Sequence, residues 1–339
     1  MVPRTASALH NYLAVQDGKA KMGKFFYPSY IESAKINPEV EMNKKLYAAI
    51  EGGGTKFICA VIDSERKILS EARFPCQSPS ETISNCLNFF QNTQSQLGLL
   101  SALGIASFGP LDPRPESPQF GRILATPKPG WANTDLVSPF VEALGIPVAF
   151  DTDVNGAVLA ESLWGAGKGL KNLVYYTIGT GVGGGAIVEN RLIHGLMHPE
   201  MGHAFLPHDY TQDPFAGVCP FHQDCFEGLA SGPAIEARWG KKAYNLPADH
   251  PAWELEAHYI ALALANTTLM LAPERIILGG GVMAQRQLFP LVRAKFLVNL
   301  HGYLQFPSIL EQVDSFIVPS GLEGIAGLYG ALALAMQTD

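Results

Sequence analysis

Two glycine-rich turns, each between two apolar runs, restrict the possible folds of this chain more than any other feature. The first is IEGGGTKF at residues 50–57, and the second is TIGTGVGGG at residues 177–185. Consecutive glycines weaken a regular element, because glycine loses the most backbone freedom on folding. Both segments therefore indicate turns between paired strands. Their recurrence predicts an internal duplication in which each copy carries a hairpin that faces a shared cleft.

The sequence from Met42 onward alternates strand and helix patterns, which indicates an α/β fold. Residues 80–97 have apolar side chains at helical spacing, with Ser80 as a candidate N-cap. Residues 148–167 predict a strand, a polar turn and a helix, and residues 325–337 predict a C-terminal helix.

The length of 339 residues favours two domains. We predict a first domain over residues 42–170 and a second over residues 171–339, whose C-terminal helix can pack on the first. Residues 1–41 have no sustained strand or helix period, and a second methionine follows them. We interpret them as a leader or extension outside the fold, with a disordered tail or a targeting arm as alternatives.

Composition excludes several classes of protein. The net charge of −7 argues against a nucleic-acid surface. No apolar run approaches the roughly 18 residues of a membrane span, and the N-terminus lacks the apolar core of a secretory signal. Five cysteines, an odd number, suit a reducing compartment better than a disulfide framework. We therefore predict a cytoplasmic protein without nucleic-acid or membrane partners.

The glycine turns are candidate phosphate loops. The first can direct backbone N–H groups toward an anion and adds a hydroxyl and a positive charge, through Gly52, Gly53, Gly54, Thr55 and Lys56. It is neither a Walker A loop nor a dinucleotide fingerprint, because it lacks the terminal Gly-Lys-Ser/Thr and precedes a strand. A tight structural turn is the alternative for any one such loop.

Two further segments strengthen the nucleotide hypothesis. The second turn repeats the strand–glycine–strand context with Thr180 and Gly181. Another apolar strand ends in LGGGVM, where Gly279, Gly280 and Gly281 would form a floor for a flat base. Two facing phosphate loops and this floor predict a nucleotide cleft.

A candidate general base lies in FDTDVNGA, residues 150–157. Phosphoryl transfer to an alcohol needs a group that accepts the hydroxyl proton. Asp153 is the candidate and Asp151 its competitor, because alternation along a strand sends both side chains to the same face. An aspartate that caps the following helix is the structural alternative.

The most specific local signal is CPFHQDC, residues 219–225, whose metal-ligand side chains are three residues apart: Cys219, His222 and Cys225. A fourth ligand could come from His203, with His198 and His194 as further candidates. Mixed sulfur and nitrogen ligands select zinc, and four protein ligands indicate a structural ion. The alternative is two buried cysteines beside a surface histidine.

A zinc ion at this place would hold two carboxylates, Glu200 and Glu227, near each other. Carboxylates that accept hydrogen bonds from adjacent hydroxyls form a natural sugar clamp. Trp131 and Asn133, in PKPGWANTDL, could add an apolar wall and an amide.

These motifs resemble the ROK family of sugar kinases and repressors, and most of all its bacterial fructokinase branch. The resemblance runs from Met42 to the C-terminus through the segments IEGGGTKF, ASFGPLD, ATPKPGWANTDL, DTDVNGA, TIGTGVGGGAIV, HPEMGH, CPFHQDCFEGLASGPAIEARWG and ILGGGVM. It implies an actin-like ATPase (ribonuclease H-like) fold of two α/β domains around a cleft, with ATP, Mg²⁺, a structural Zn²⁺ and a homodimer.

The resemblance also implies individual roles. It makes Asp153 the base in preference to Asp151, and Glu200 and Glu227 the sugar-binding carboxylates. It matches Gly52–Thr55 to the first phosphate loop and Thr180 with Gly181 to the second. It matches Gly279–Gly281 to the adenosine segment. The zinc ligands that it implies are His203, Cys219, His222 and Cys225.

Two departures from the general family pattern matter. Glu51 stands where the family has an aspartate, which can alter how Mg²⁺ is held. His222 replaces a cysteine of the zinc motif, as in the fructokinase branch, and this favours fructose over glucose. The expected function is therefore an ATP-dependent fructokinase that forms fructose 6-phosphate.

Three rival functions remain at this level. A kinase for glucose, mannose or N-acetylmannosamine would use the same machinery. A repressor would need a helix-turn-helix domain, which residues 1–41 do not indicate. A sugar-binding protein without turnover would not need the loops and the base.

Overall fold

The computed structural model of the chain describes residues 11–16, 19–24 and 44–338. Its strands are β1 (Asn11–Gln16), β2 (Lys19–Lys24), β3 (Leu46–Gly52), β4 (Lys56–Asp63), β5 (Ile68–Pro75), β6 (Leu100–Ser107), β7 (Val148–Thr152), β8 (Leu173–Ile178), β9 (Val182–Val188), β10 (Arg191–Leu192), β11 (Arg275–Gly279) and β12 (Ile317–Pro319). Its α-helices are α1 (Pro79–Leu97), α2 (Ser138–Leu144), α3 (Asp153–Trp164), α4 (Phe226–Ala230), α5 (Gly232–Trp239), α6 (Ala252–Leu271), α7 (Leu288–Leu300), α8 (Pro307–Leu310), α9 (Val313–Phe316) and α10 (Ala326–Gln337).

Two five-stranded sheets share one topology. Their strand orders are β5-β4-β3-β6-β7 and β10-β9-β8-β11-β12. In each sheet the central strand pairs antiparallel with the strand that follows it and parallel with a strand further along the chain. The duplication predicted from the two glycine turns is confirmed, and so is the α/β class.

Burial follows the position of each strand. Strand β4 is buried at every residue after Lys56, since helices cover both faces of its sheet. Strand β5 alternates between half-buried and exposed residues, as expected of an edge strand with one face toward solvent. The hairpin strands β3 and β4 meet at the pair Gly52 and Phe57, directly before the first glycine turn.

The last helix, α10, lies against the first sheet. Its buried face, which includes Leu328 and Leu332, packs on β3 and β6. The approach is so close that a Cβ atom at Gly104 would lie 1.8 Å from the carbonyl oxygen of Ala331. Helix α3 packs against α10 and also against β8 and β9, so it contacts both sheets.

The structure corrects three local predictions. Helix α1 begins at Pro79 with Ser78 in the N-cap position, so Ser80 is not the cap. Strand β7 passes directly into α3 at Thr152, without the expected polar turn. Strands β1 and β2 form an antiparallel hairpin where we expected no strand period.

That hairpin hydrogen-bonds to neither five-stranded sheet. The prediction of a leader over residues 1–41 otherwise falls on residues outside those described. None of the helices in the described ranges is long and apolar enough to span a bilayer.

Candidate active site

The junction of β7 and α3 positions the two candidate aspartates. Thr152 is the N-cap of α3, and its side-chain oxygen accepts a hydrogen bond from the N–H of Asn155 at 3.1 Å. Asp153 is the first residue of the helix, where N–H groups are unpaired and a negative charge is favoured by the helix dipole.

Asp151 is fully engaged by the protein. Its Oδ1 accepts hydrogen bonds from the N–H of Thr152 at 2.7 Å and from Nδ2 of Asn155 at 2.8 Å. Its Oδ2 lies 2.7 Å from Nε2 of His194. Because both carboxylate oxygens are occupied and the side chain is buried, the surroundings of Asp151 favour a structural role.

Asp153 accepts fewer hydrogen bonds from the protein than Asp151 does. Its Oδ1 accepts a hydrogen bond from the N–H of Val154 at 2.9 Å. Burial, and then the negative charge of Glu51, raise the pKa of Asp153 to about 7. A carboxylate with a pKa near neutrality can accept a proton at physiological pH.

Asp153 belongs to a group of acidic residues, Glu51, Glu200 and Glu227, that interact through their charges. Burial, followed by the charges of Asp153 and Glu227, raises the pKa of Glu200 to about 7. Burial also raises the pKa of Glu51, which accepts a backbone hydrogen bond at the start of α10 from Leu328. The structure thus brings together the predicted base and the two predicted sugar carboxylates.

The first glycine turn is a hairpin whose N–H groups are partly used. Gly53 donates to the carbonyl of Lys56 at 2.9 Å. The N–H groups of Gly54 and Thr55 donate to no other atom of residues 44–338, so they are available to a ligand. Lys56 is exposed at the end of the turn.

Sequence reasoning missed a second lysine at this turn. Nζ of Lys128 donates to the carbonyl of Gly54 at 2.5 Å. Lys128 lies in PKPGW, 74 residues along the chain, and only the tertiary fold brings it to the turn. It adds a positive charge to the first loop.

The second glycine turn is hydrogen-bonded to Glu227, one of the two predicted sugar carboxylates. Oε2 of Glu227 accepts a hydrogen bond from the N–H of Val182 at 3.0 Å. A Cβ atom at Gly181 would lie 2.7 Å from that same oxygen, so a side chain there would displace it. Thr180 is exposed at the tip of the turn.

Glycines in the strand after the turn serve packing. A Cβ atom at Gly185 would lie 2.5 Å from the carbonyl oxygen of Val154, and one at Gly183 would lie 2.9 Å from Cγ1 of Val154. These glycines let the first turn of α3 approach β9. They hold the helix that carries Asp153 against the second sheet.

The third glycine segment lines a cleft of about 410 Å³. Gly279, Gly280 and Gly281 form one part of its wall, and Glu51 lies in the same wall. Residues that the sequence did not indicate complete it: Tyr175, Thr177, Leu278, Met283, Ala284, Arg286, Ser320, Glu323, Gly324, Ala326 and Gly327.

The structure corrects the expectation for Trp131. Its side chain is 0% exposed and stacks on Phe57 with ring centroids 5.3 Å apart, in the core between the first sheet and α1. Its indole N–H donates to the carbonyl of Gln77 at 2.8 Å. Trp131 is therefore a core residue that offers no surface to a sugar.

Asn133 is exposed and has a left-handed backbone, with φ of 61°. Asparagine tolerates this conformation better than most residues do. The turn thus provides a backbone reason for an asparagine at this position, beside the expected contact between its amide and a sugar.

The predicted metal ligands converge. One ligand atom each from His203, Cys219, His222 and Cys225 lies within 4.8 Å of the others. Nδ1 of His203 is 3.7 Å from Sγ of Cys219 and 3.5 Å from Sγ of Cys225. Ligands of a tetrahedral zinc ion with bonds of about 2.0–2.3 Å are separated by roughly 3.3–3.8 Å. The donor set and its spacing fit zinc.

Comparison with known proteins places this site in context. The model of the ROK family matches residues 47–338. A fructokinase of Zymomonas mobilis is 46% identical over 301 residues, which cover 88% of this chain and 98% of that protein. A fructokinase of Pediococcus pentosaceus is 42% identical over 290 residues, which cover 86% and 97%.

A solved structure is also similar. A ROK family glucokinase from Streptomyces griseus, in complex with glucose and AMPPNP, superposes with a TM-score of 0.68 at 25% identity. The alignment covers 86% of this chain and 99% of that one.

Proposed function

The chain belongs to the ROK family, and from that premise we propose that it is an ATP-dependent fructokinase that forms D-fructose 6-phosphate. The observation that carries the proposal is the identity of 46% and 42% to two fructokinases over nearly their whole lengths. The glucokinase structure, at 25% identity, is more distant. ATP as the donor is supported by the AMPPNP in that relative.

Asp153 is the proposed general base. Its carboxylate would accept the proton of the 6-hydroxyl as that oxygen bonds to the γ-phosphorus and the bond to the β-phosphate oxygen breaks. Asp151 is unsuited to this role, because both its oxygens are held by Thr152, Asn155 and His194. Glu200 and Glu227 would accept hydrogen bonds from the other hydroxyls of the sugar.

The glycine turns are the proposed phosphate sites. The N–H groups of Gly54 and Thr55, and the charges of Lys56 and Lys128, suit the oxygens of a triphosphate. The segment Gly279–Gly281 would lie along the adenosine. Closure of the cleft would exclude water and so limit the hydrolysis of ATP.

Two metal ions belong to the proposal. Glu51 would hold Mg²⁺, directly or through water, because its carboxyl group lies in the wall of the cleft and carboxylate oxygen is the ligand that Mg²⁺ prefers. Mg²⁺ supplies neutralisation of the phosphate charge. The cluster of His203, Cys219, His222 and Cys225 would hold a structural Zn²⁺ that fixes Glu200 and Glu227 relative to each other.

The test is an ATP-coupled assay over fructose, glucose, mannose and N-acetylmannosamine with the purified chain. We expect kcat/KM to be highest for fructose. A higher value for one of the other hexoses would replace fructose with that sugar, and turnover of none would reject the kinase. The expected homodimer and cytoplasmic location stay predictions, the first to be checked by light scattering.

A further inference from the structure

Glu161 is a buried carboxylate that the proposed reaction does not use. It lies on α3, two helical turns beyond Asp153, and is 0% exposed. Its Oε1 accepts hydrogen bonds from Oγ of Ser320 at 2.5 Å and from the N–H of Leu322 at 3.0 Å. Its Oε2 accepts from the N–H of Ala166 at 2.6 Å and of Gly321 at 3.2 Å.

These partners belong to two different stretches of chain. Residues 165–172 lead from α3 to β8 and so carry the chain from the first sheet to the second. Residues 320–325 lead from β12 to α10 and carry it back. Glu161 is hydrogen-bonded to both crossings, which makes it the point where the two connections between the sheets are joined.

Glycines on both sides permit this junction. A Cβ atom at Gly165 would lie 2.0 Å from Oε2 of Glu161, and one at Gly321 would lie 2.7 Å from the amide nitrogen of Ala166. A side chain at either position would push the crossings apart. The close contact between the two crossings therefore depends on glycines beside the Glu161 carboxylate.

The second crossing is also a wall of the cleft. Ser320, Glu323 and Gly324 line it together with Gly279–Gly281. We propose that Glu161 is a positioning residue that holds this nucleotide wall at a fixed place relative to Asp153, because one rigid helix carries both carboxylates. This rests on the proposed function of the site, and it assigns to Glu161 the alignment of the nucleotide with the base.

The test is Glu161→Gln. The amide presents N–H donors where the carboxylate accepted, so at least one buried N–H loses its partner. We expect KM for ATP to rise about tenfold, the ordinary scale for a broken buried hydrogen bond, with KM for fructose changed less than about twofold. An unchanged KM for ATP would overturn the proposal.

A matched control separates positioning from lost stability. Asp213 is a buried carboxylate that accepts from Tyr259 and Arg238 and is not among the residues that line the cleft. Asp213→Asn should lower Tm without raising KM for ATP. If it raises KM for ATP as Glu161→Gln does at equal loss of Tm, the positioning role is wrong.

Two measurements keep the outcome decisive. If Glu161→Gln does not fold, Ser320→Ala removes one hydroxyl donor and should still raise KM for ATP by about threefold, and an unchanged value rejects the proposal. The stabilisation of Tm by AMPPNP without sugar should be smaller in the variants than in the parent chain. That shift reports on Glu161 even if the parent chain fails to phosphorylate fructose, so the two failures are distinguishable.

Discussion

Asp151 and Asp153 lie two residues apart at one strand-to-helix junction, and their surroundings are opposite. The protein occupies both carboxylate oxygens of Asp151, whereas Asp153 accepts one short-range hydrogen bond from Val154 and faces the charge of Glu51. The partners of Asp151 stabilise its negative charge, which gives this side chain a structural role. The surroundings of Asp153 leave its carboxylate free to react, and the burial of its charge lowers the free energy of unfolding.

Replacement of the proposed base should separate turnover from stability. Asp153→Asn keeps the shape of the side chain but cannot accept the hydroxyl proton. We expect kcat for fructose to fall by about 10²–10⁴, the usual contribution of a positioned base. Because the folded chain raises the pKa of Asp153, loss of its charge should leave Tm at pH 8 equal to or above that of the parent.

The control for this prediction is Asp151→Asn. It removes the charge paired with His194, and its amide group places N–H donors either toward His194 or toward the donors of Thr152 and Asn155. Tm should fall, while kcat should change far less than in Asp153→Asn. The reverse pattern, an inactive Asp151→Asn beside an active Asp153→Asn, would exchange the two roles.

The rate should depend on pH near neutrality. The pKa values of Asp153 and Glu200 are raised to about 7, and a protonated carboxyl group cannot accept the hydroxyl proton. We expect kcat/KM for fructose to rise with pH through about 7 and then level off, with about tenfold loss per pH unit well below that point. Initial rates from pH 5 to 9 at constant ionic strength measure it.

Glu51→Gln tests the cause of this profile. Burial is the main cause that raises the pKa of Asp153, and the charge of Glu51 adds to it, so removal of that charge should move the inflection to lower pH, whatever happens to kcat. An inflection that stays in place would mean that the charge of Glu51 does not set it, and that burial of Asp153 or another group does.

The free energy of unfolding should change with pH in the direction opposite to the rate. The folded chain keeps protons on Asp153 and Glu200 that the unfolded chain releases near pH 4. The contribution of these groups to the free energy of unfolding therefore falls as pH rises from about 4 to about 7. Urea unfolding of the parent and of Glu200→Gln at both ends of this range measures that contribution.

The metal cluster should hold one zinc ion per chain. Cys225→Ser replaces a thiolate with a weak ligand, and we expect loss of the metal and a fall in Tm of roughly 5–10 °C. Metal analysis after dialysis and calorimetry measure the two effects. A chelator should lower Tm in the parent chain, and added zinc should restore it.

Cys76→Ser is the matched control for zinc. Cys76 is a half-buried free thiol outside the cluster, so this variant should retain the metal. The proposal of a zinc site would be wrong if Cys225→Ser retained zinc, or if the parent chain contained none.

Trp131 should matter for stability and little for sugar affinity. Its side chain is fully buried against Phe57 and Phe108, so Trp131→Ala should cost about 3–5 kcal/mol of unfolding free energy. Trp131→Phe keeps an aromatic ring, and KM for fructose should stay near the parent value. A manyfold rise of KM for fructose in Trp131→Phe would support the contact with the sugar that the sequence predicted.

Local pattern predicted much of the fold. The strands around both glycine turns and the strand before Gly279 are short apolar runs, and the final helix is a longer run of small and apolar residues. The resemblance supplied the actin-like arrangement that the ROK relatives confirm. Strands β5 and β12 were missed. One is an edge strand with only half of its residues buried, and the other has three residues, too few to show a period.

The candidate site was predictable where its residues are close in sequence. The cluster of Cys219, His222 and Cys225 lies within seven residues, and His203 was found by residue type. Lys128, Arg286 and the wall at Ser320–Gly327 were missed, because only tertiary packing brings them to the glycine segments. Trp131 failed for a different reason, since an aromatic residue in a polar segment has the same sequence signal in a core and in a binding wall.

The place of α10 has a consequence for synthesis on the ribosome. One face of the first sheet, around Gly104, is covered by a helix that is translated more than two hundred residues later. Until that helix emerges, the nascent sheet exposes apolar surface that it cannot bury locally. The sheet encoded first is therefore completed last.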